Sequence, residues 1–251
     1  MVSIEEATAV ITGGGSGIGR TTAVEFAQRG ASVVVADLDV DGGEETVTTI
    51  EDDGGDAIFV EADVTDPESA RAMVDTAVEE YGRLDYAFNN AGIGGEEATV
   101  DEYPAESWHG VIDVNLNGVF NCMRAEIDRM RDQESGGAIV NNASVLGKVG
   151  FETSSAYAAA KHGVLGLTKS AALENGETGV RINSVCPGFI DTPLLEENMT
   201  EEEREQIAGM HAMNRLGTPE EVANAVVWLC SDEASFVTGE AFGVEGGYLS
   251  Q

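Results

Sequence analysis

The run Ala7-Thr-Ala-Val-Ile11 leads without a break into Thr12-Gly-Gly-Gly-Ser-Gly-Ile-Gly19, and Arg20 to Gln28 follows with Ala23, Phe26 and Ala27 on one stripe. Short, β-branched and apolar, the first stretch reads as a strand of a buried parallel sheet. The third reads as a helix stopped by Gly30. Strand, glycine turn and helix in that order bring bare backbone N–H groups and a helix N-terminus together, which is an arrangement that holds a pyrophosphate. Gly13, Ser16, Gly17, Ile18 and Gly19 are the candidate residues of that cradle.

A second strand, Ser32-Val-Val-Val-Ala36, ends in Asp37 and Leu38. Asp37 lies eighteen residues past Gly19, close to the spacing of about 20 at which an acidic residue meets an adenosine ribose. A carboxylate there accepts from the ribose hydroxyls and repels a 2'-phosphate, so the cofactor predicted is NAD.

Five more runs read as strands: Ala57 to Glu61, Leu84 to Asn89, Ala138 to Asn142, Val180 to Val185 and Ala241 to Val244. Helical stretches alternate with them, at Pro67 to Tyr81, Ala105 to Arg131, Ser154 to Gly176 and Pro219 to Leu229. Pro67 and Pro219 suit a first helical turn, with Thr65, Asp66 and Thr218 available as caps. Strands separated by helices need crossover connections, which build a parallel sheet covered on both faces. The fold predicted is α/β, a Rossmann-type doubly wound parallel sheet of about seven strands forming one domain over residues 1–251. Ligands of such sheets bind beyond the carboxyl ends of the strands. The glycines, Asp37, Asp63 and Ser144 each follow a strand.

Tyr157 and Lys161 are four residues apart on a helix, and so share one face. A free phenol titrates near pH ~10, too high for a base at neutral pH, and an adjacent cation favours the phenolate. This pairing is the candidate for proton transfer. The three cysteines, Cys122, Cys186 and Cys230, form neither C-x-x-C spacing nor an even framework, and His109, His162 and His211 are scattered. They are read as structural or surface residues, and no metal site is expected.

Asp and Glu number 46 against 13 Lys and Arg, a formal net charge of -33. A surface of that sign repels nucleic acid and anionic membrane. The composition resembles that of proteins from salt-loving microbes. No apolar run approaches the roughly 20 residues of a bilayer span, and the first strand begins almost at the N-terminus, so a cytoplasmic protein without membrane or nucleic-acid partners is expected.

Taken in chain order, Thr12-Gly-x-x-x-Gly-x-Gly19, Asp63-Val64, Asn89-Asn-Ala-Gly92, Asn115, Ser144, Tyr157-x-x-x-Lys161 and Pro187-Gly-x-x-x-Thr192 resemble the signature elements of the short-chain dehydrogenase/reductase family. The resemblance spans essentially the whole chain. It implies an NAD-dependent oxidoreductase interconverting a secondary alcohol (sugar, cyclic or aliphatic) and its ketone. Tyr157 is then the general base or acid, Ser144 hydrogen-bonds the reacting oxygen, and Lys161 holds the nicotinamide ribose and lowers the tyrosine pKa. Asn115 bends its helix around a water on the proton path from Lys161. Asp63 and Val64 border the adenine, Asn90 lines the adenosine side, Ile190 with Thr192 holds the nicotinamide carboxamide, and Ala91, Gly92, Pro187 and Gly188 are further cofactor-binding residues, Gly92 being open to the alternative of serving only close backbone passage. Asn89 is expected only to tie strands together. Substrate is expected against Gly94 to Glu97, Val145 to Glu152 and a lid over residues 188–217, where Phe189, Leu194, Leu195, Met199, Met210 and Met213 mix with acidic residues including Glu196 and Glu197. The family resemblance further implies a homotetramer. Two other readings compete: a 3-oxoacyl-carrier reductase, and an NAD-binding scaffold or sensor without turnover. Asp37 and the acidic surface weigh against the first, and the complete Ser144, Tyr157, Lys161 and Asn115 set weighs against the second.

Overall fold

The computed structural model describes residues 4–193, 195 and 200–250. Seven strands, β1 Thr8–Thr12, β2 Ser32–Asp37, β3 Asp56–Glu61, β4 Tyr86–Asn89, β5 Gly137–Asn142, β6 Val180–Pro187 and β7 Ala241–Val244, form one sheet in the order β3-β2-β1-β4-β5-β6-β7. Each neighbouring pair is parallel. All seven fall within two residues of the runs read from the sequence. The chain winds outward from β1 to β3 and then returns to place β4 on the other side of β1, which opens a crevice at the carboxyl ends of β1 and β4.

Strand residues alternate between two cores. Val10 and Val34 face the first, where Met73 and Val74 of α3 (Pro67–Tyr81), Cys122 and Met123 of α5 (Val119–Arg131) and Val164 and Leu165 of α6 (Ser155–Asn175) cover the sheet. Ile11, Val33 and Val35 face the second, with Phe26 of α1 (Gly17–Gln28), Ile50 of α2 (Val40–Asp52) and Val226 and Val227 of α8 (Pro219–Cys230). Burying each such side chain contributes roughly 1.5–3 kcal/mol. Asp66 caps α3, accepting from the Glu68 N–H at 3.0 Å. Before α8 the Glu221 carboxylate accepts from the Thr218 N–H at 2.9 Å.

Three elements differ from the sequence reading. Two helices were not anticipated, α2 and α7 (Glu201–Ala208). Inside α2 stand Gly42 and Gly43, residues that argue against a helix. They are there for closeness: a Cβ on Gly43 would come within 2.1 Å of the Phe59 ring, and one on Gly42 within 3.0 Å of the Gly15 carbonyl. The long helix read over 105–131 is divided into α4 (Ala105–Ile112), a π-helical turn Asp113–Gly118, and α5.

Two buried ionisable side chains brace this frame. Arg181 on β6 is 7% exposed and donates to the carbonyls of Leu229, Cys230 and Ser231 at the end of α8, at 2.6, 2.9 and 3.1 Å, and to that of Val237 beyond it at 3.3 Å. Asn89 does tie strands, donating to Asn141 Oδ1 at 3.0 Å, and it also reaches Glu126 Oε2 at 3.0 Å. Burial pushes the Glu126 carboxyl up to about 8, against a smaller opposing effect of the Asn89 bond. Among the described residues no helix is long and apolar enough to cross a membrane.

Candidate active site

The glycine segment makes a tight turn because two of its members take backbone angles that side chains disfavour: φ is +62° at Gly13 and +51° at Gly17. Gly19 acts differently. A Cβ there would lie 1.9 Å from the Gly13 carbonyl oxygen, so its hydrogen lets α1 start directly beneath the turn. Thr12 Oγ1 accepts from the N–H groups of Asn90 and Ala91 at 2.9 and 3.1 Å, and Asn90 Nδ2 donates back to the Thr12 and Gly13 carbonyls at 3.1 Å each. The first turn thus fixes the loop after β4. Asn142 Nδ2 adds a bond to Asn90 Oδ1 at 2.9 Å, which extends the network to β5. Ser16 precedes α1 without capping it through its side chain, so the helix N-terminus faces the crevice unblocked.

A cavity of about 360 Å³ opens above this turn. Gly13, Ser16, Gly17 and Ile18 form its floor, Asp37 and Leu38 one end, Asp63, Val64, Asn90, Ala91 and Gly92 a side, and Tyr157, Lys161 and Thr192 the other end. Asp37 is held in place by two backbone donors, Gly15 N–H at 2.8 Å and Asp39 N–H at 3.0 Å. Asp63 is engaged locally, accepting from the Thr65 N–H and hydroxyl at 2.9 and 2.7 Å.

A second cavity, about 550 Å³, shares Ile18, Asn142 and Tyr157 with the first. It is lined by Ser144, Val145, Leu146, Pro187, Gly188, Phe189 and Ile190, with Glu96 and Glu97 at its edge. The two spaces therefore meet at Tyr157. Leu195 lines the second cavity, while Leu194, Glu196, Glu197 and Met199 of the expected lid lie outside the described residues.

Ser144 and Lys161 are buried, at 8% and 3% exposure, and Tyr157 is partly open to the cavities. Lys161 Nζ sits 5.4 Å from the centre of the Tyr157 ring and donates to the Asn142 carbonyl at 2.7 Å. Burial pushes the lysine down to about 8. Burial raises the Tyr157 phenol, and the neighbouring Ser144 hydroxyl draws it back down.

Asn115 lines neither cavity. It is fully buried in the π-helical turn and is bound at both ends of its amide by Ile93, accepting from the N–H at 2.8 Å and donating to the C=O at 2.7 Å. The distortion expected of its helix is present, and its side chain supports the loop that edges both cavities. Gly19 likewise supports without lining. The sequence reading did not single out Ile93 or Asn142. Ile93 acts through its backbone groups and Asn142 holds Lys161 through its carbonyl, and such contacts carry no residue signature. Among the described residues no group of three or more His, Cys, Asp or Glu is placed to hold a metal ion.

A parallel sheet with a glycine turn at its switch point, and a Ser, Tyr and Lys converging where two cavities meet, define a short-chain dehydrogenase/reductase. A family model described as Enoyl-(Acyl carrier protein) reductase matches residues 13–249, and the chain belongs to the short-chain dehydrogenase/reductase family. It is 49% identical over 243 residues to a cyclohexanol dehydrogenase from Acinetobacter sp. (strain SE19), covering 97% of this chain and 95% of that protein. It is 43% identical to a cis-4-hydroxycyclohexanecarboxylate dehydrogenase from Sinomonas cyclohexanicum, covering 98% and 97% of the two chains. Among solved structures, a carveol dehydrogenase from Mycobacterium avium in complex with NAD superposes with a TM-score of 0.92 at 30% identity, covering 98% of each chain.

Proposed function

We propose that the protein interconverts a neutral cyclic secondary alcohol and its ketone, with NAD as the redox partner. The observation that carries this reading is the meeting of the two cavities at Tyr157, with Ser144 lining the substrate side and Lys161 the cofactor side. The larger cavity has mainly apolar walls, and the two relatives whose names specify cyclohexane rings support a ring-sized occupant.

The residues present fit the cofactor. The α1 N-terminus and the glycines suit a pyrophosphate, Asp37 suits the adenosine ribose, and Lys161 suits the nicotinamide ribose. When bound, NAD supplies the hydride acceptor and a positive ring beside the phenol. Tyr157 as phenolate takes the alcohol proton, and Ser144 hydrogen-bonds the same oxygen as its charge changes. Burial alone disfavours the phenolate, so the Ser144 hydroxyl, the Lys161 ammonium and the bound cofactor together have to stabilise it. Asn142 keeps Lys161 on the cofactor side.

The same reading extends to setting and assembly. A net charge of -33 suits a cytoplasm of concentrated brine. The lid read over residues 188–217 is supported by Gly188, Phe189, Ile190 and Leu195, which line the substrate cavity. The chain assembles as a homotetramer through α5 and α6, where Phe120 and Leu173 stand 47% and 87% exposed. Sedimentation in molar KCl tests the assembly, a monomer being the refuting result. Initial rates with NAD over a panel of cyclic alcohols, linear alcohols, sugars and hydroxyacids in molar KCl test the chemistry. A panel led by a sugar, a linear alcohol or a hydroxyacid would overturn the substrate class.

A further inference from the structure

One wall of the substrate cavity is held from outside it. Phe189 follows β6 and lines that cavity, and its ring packs on Phe151 and on Tyr248 with centroids 5.8 Å apart in each case. Both backbone groups of Phe189 are engaged. Its C=O accepts from the Gly217 N–H at 3.0 Å, and its N–H lies 3.3 Å from Nε2 of His211.

His211 is 4% exposed, and its Nδ1 is 3.0 Å from the Ile207 carbonyl. A carbonyl can only accept and a backbone N–H can only donate, so Nδ1 carries the proton and Nε2 presents a lone pair to Phe189. The imidazole is therefore neutral in this arrangement. It also stands edge-on to the Phe189 ring at 5.9 Å and against Tyr248 at 5.5 Å. A Cβ on Gly188 would come within 2.8 Å of Nε2, so glycine at that position lets the imidazole approach the backbone.

We infer that His211 is a positioning residue for the substrate: as the neutral Nδ1–H form it fixes Phe189 as the end wall that sets which ring fits. The inference rests on reading this cavity as the substrate's. It acts on substrate binding and leaves the proton transfer at Tyr157 alone.

The charged groups around a space of about 250 Å³ beside His211 are engaged elsewhere: Arg215 is paired with Glu221 at 2.6 Å, and Glu245 accepts from the Leu249 N–H at 2.9 Å, so the Nε2 lone pair is left to the Phe189 N–H.

Steady-state kinetics with cyclohexanol and saturating NAD test the role. His211→Phe keeps an aromatic ring and removes the acceptor, so KM for cyclohexanol should rise about fivefold, in proportion to one lost hydrogen bond, while kcat stays within about twofold and KM for NAD is unchanged. In a Phe189→Ala background the same replacement should leave KM within about twofold, because the two residues act as one unit. An unchanged KM in the first comparison, or equal effects in both backgrounds, overturns the role. Should His211→Phe not fold, His211→Gln retains a neutral acceptor, so its KM for cyclohexanol should stay within about twofold of wild type while His211→Ala raises it about fivefold, and equal KM in the two variants overturns the inference. A wild type that turns over none of the cyclic alcohols overturns the function and this role together, whereas an active wild type with unresponsive KM overturns the role of His211 alone.

Discussion

Replacing Asp37 should redirect the choice of cofactor. The carboxylate lies at one end of the smaller cavity with its orientation set by the Gly15 and Asp39 N–H groups at 2.8 and 3.0 Å, so it does not need to reorganise when a ribose arrives. A hydrogen bond to a charged acceptor is worth about 1.5–3 kcal/mol, and like charges brought together at such a site cost several kcal/mol. Arg20 is the nearby cation that could offset a phosphate, yet its guanidinium already donates to the Gly15 carbonyl at 2.6 and 3.0 Å and to Glu45 at 2.8 Å. Together these set a preference for NAD over NADP of at least about a hundredfold in kcat/KM, equivalent to roughly 2.7 kcal/mol. In Asp37→Ser, kcat/KM with NAD should drop about tenfold as the charged acceptor is lost, and NADP turnover should rise, so the ratio collapses toward parity. Initial rates with both cofactors, at one fixed KCl concentration because salt screens the repulsion, provide the measurement. A wild type that uses NADP as well as NAD refutes the reasoning, since the carboxylate then does not face the ribose.

Tyr157→Phe removes the proton acceptor and keeps the ring, so kcat should fall about 10² to 10⁴ while calorimetric NAD affinity stays near wild type; retention of more than about a tenth of kcat identifies another base. Thermal melts from tens of millimolar to molar KCl should show stability rising with salt, as screening relieves the self-repulsion of a net charge of -33, and a salt-indifferent midpoint sinks the brine reading. Glu126 has a folded-state pKa raised from 4.5 to about 8, so the stability its neutral form contributes is present below about 4.5 and is lost as pH rises toward 8. Glu126→Gln should accordingly raise the melting temperature more at about pH 8.5 than at pH 5, and an equal shift at both would show that the carboxyl ionises freely in the fold.

The sheet was legible because its strands are short β-branched runs separated by amphipathic stretches, a signal carried by each segment alone. Helix α2 was hidden because its Gly42 and Gly43 answer to neighbours distant in sequence, Gly15 and Phe59. The candidate catalytic side chains, Ser144, Tyr157 and Lys161, stand out by type and spacing. The groups that aim them do not. Asn142 holds Lys161, and Ile93 holds Asn115, through main-chain atoms that any residue would provide. Local sequence offered nothing on His211 either, since its role comes from contacts with Phe189 and Tyr248, 22 residues before it and at the far end of the chain.

Lys161 and Arg181 share a trait that sets them apart from the paired arginines of the surface. Each is almost wholly enclosed and bonds to main-chain oxygens, Lys161 to Asn142 and Arg181 to the end of α8. Dissolved ions weaken pairs such as Arg20 with Glu45 or Arg71 with Asp128, which stand in contact with water. They act far less on an enclosed cation held by amide dipoles. The molecule thus separates two electrical systems, an outer one that the medium can retune and an inner one, including the Lys161 ammonium, whose arrangement is set by the fold itself.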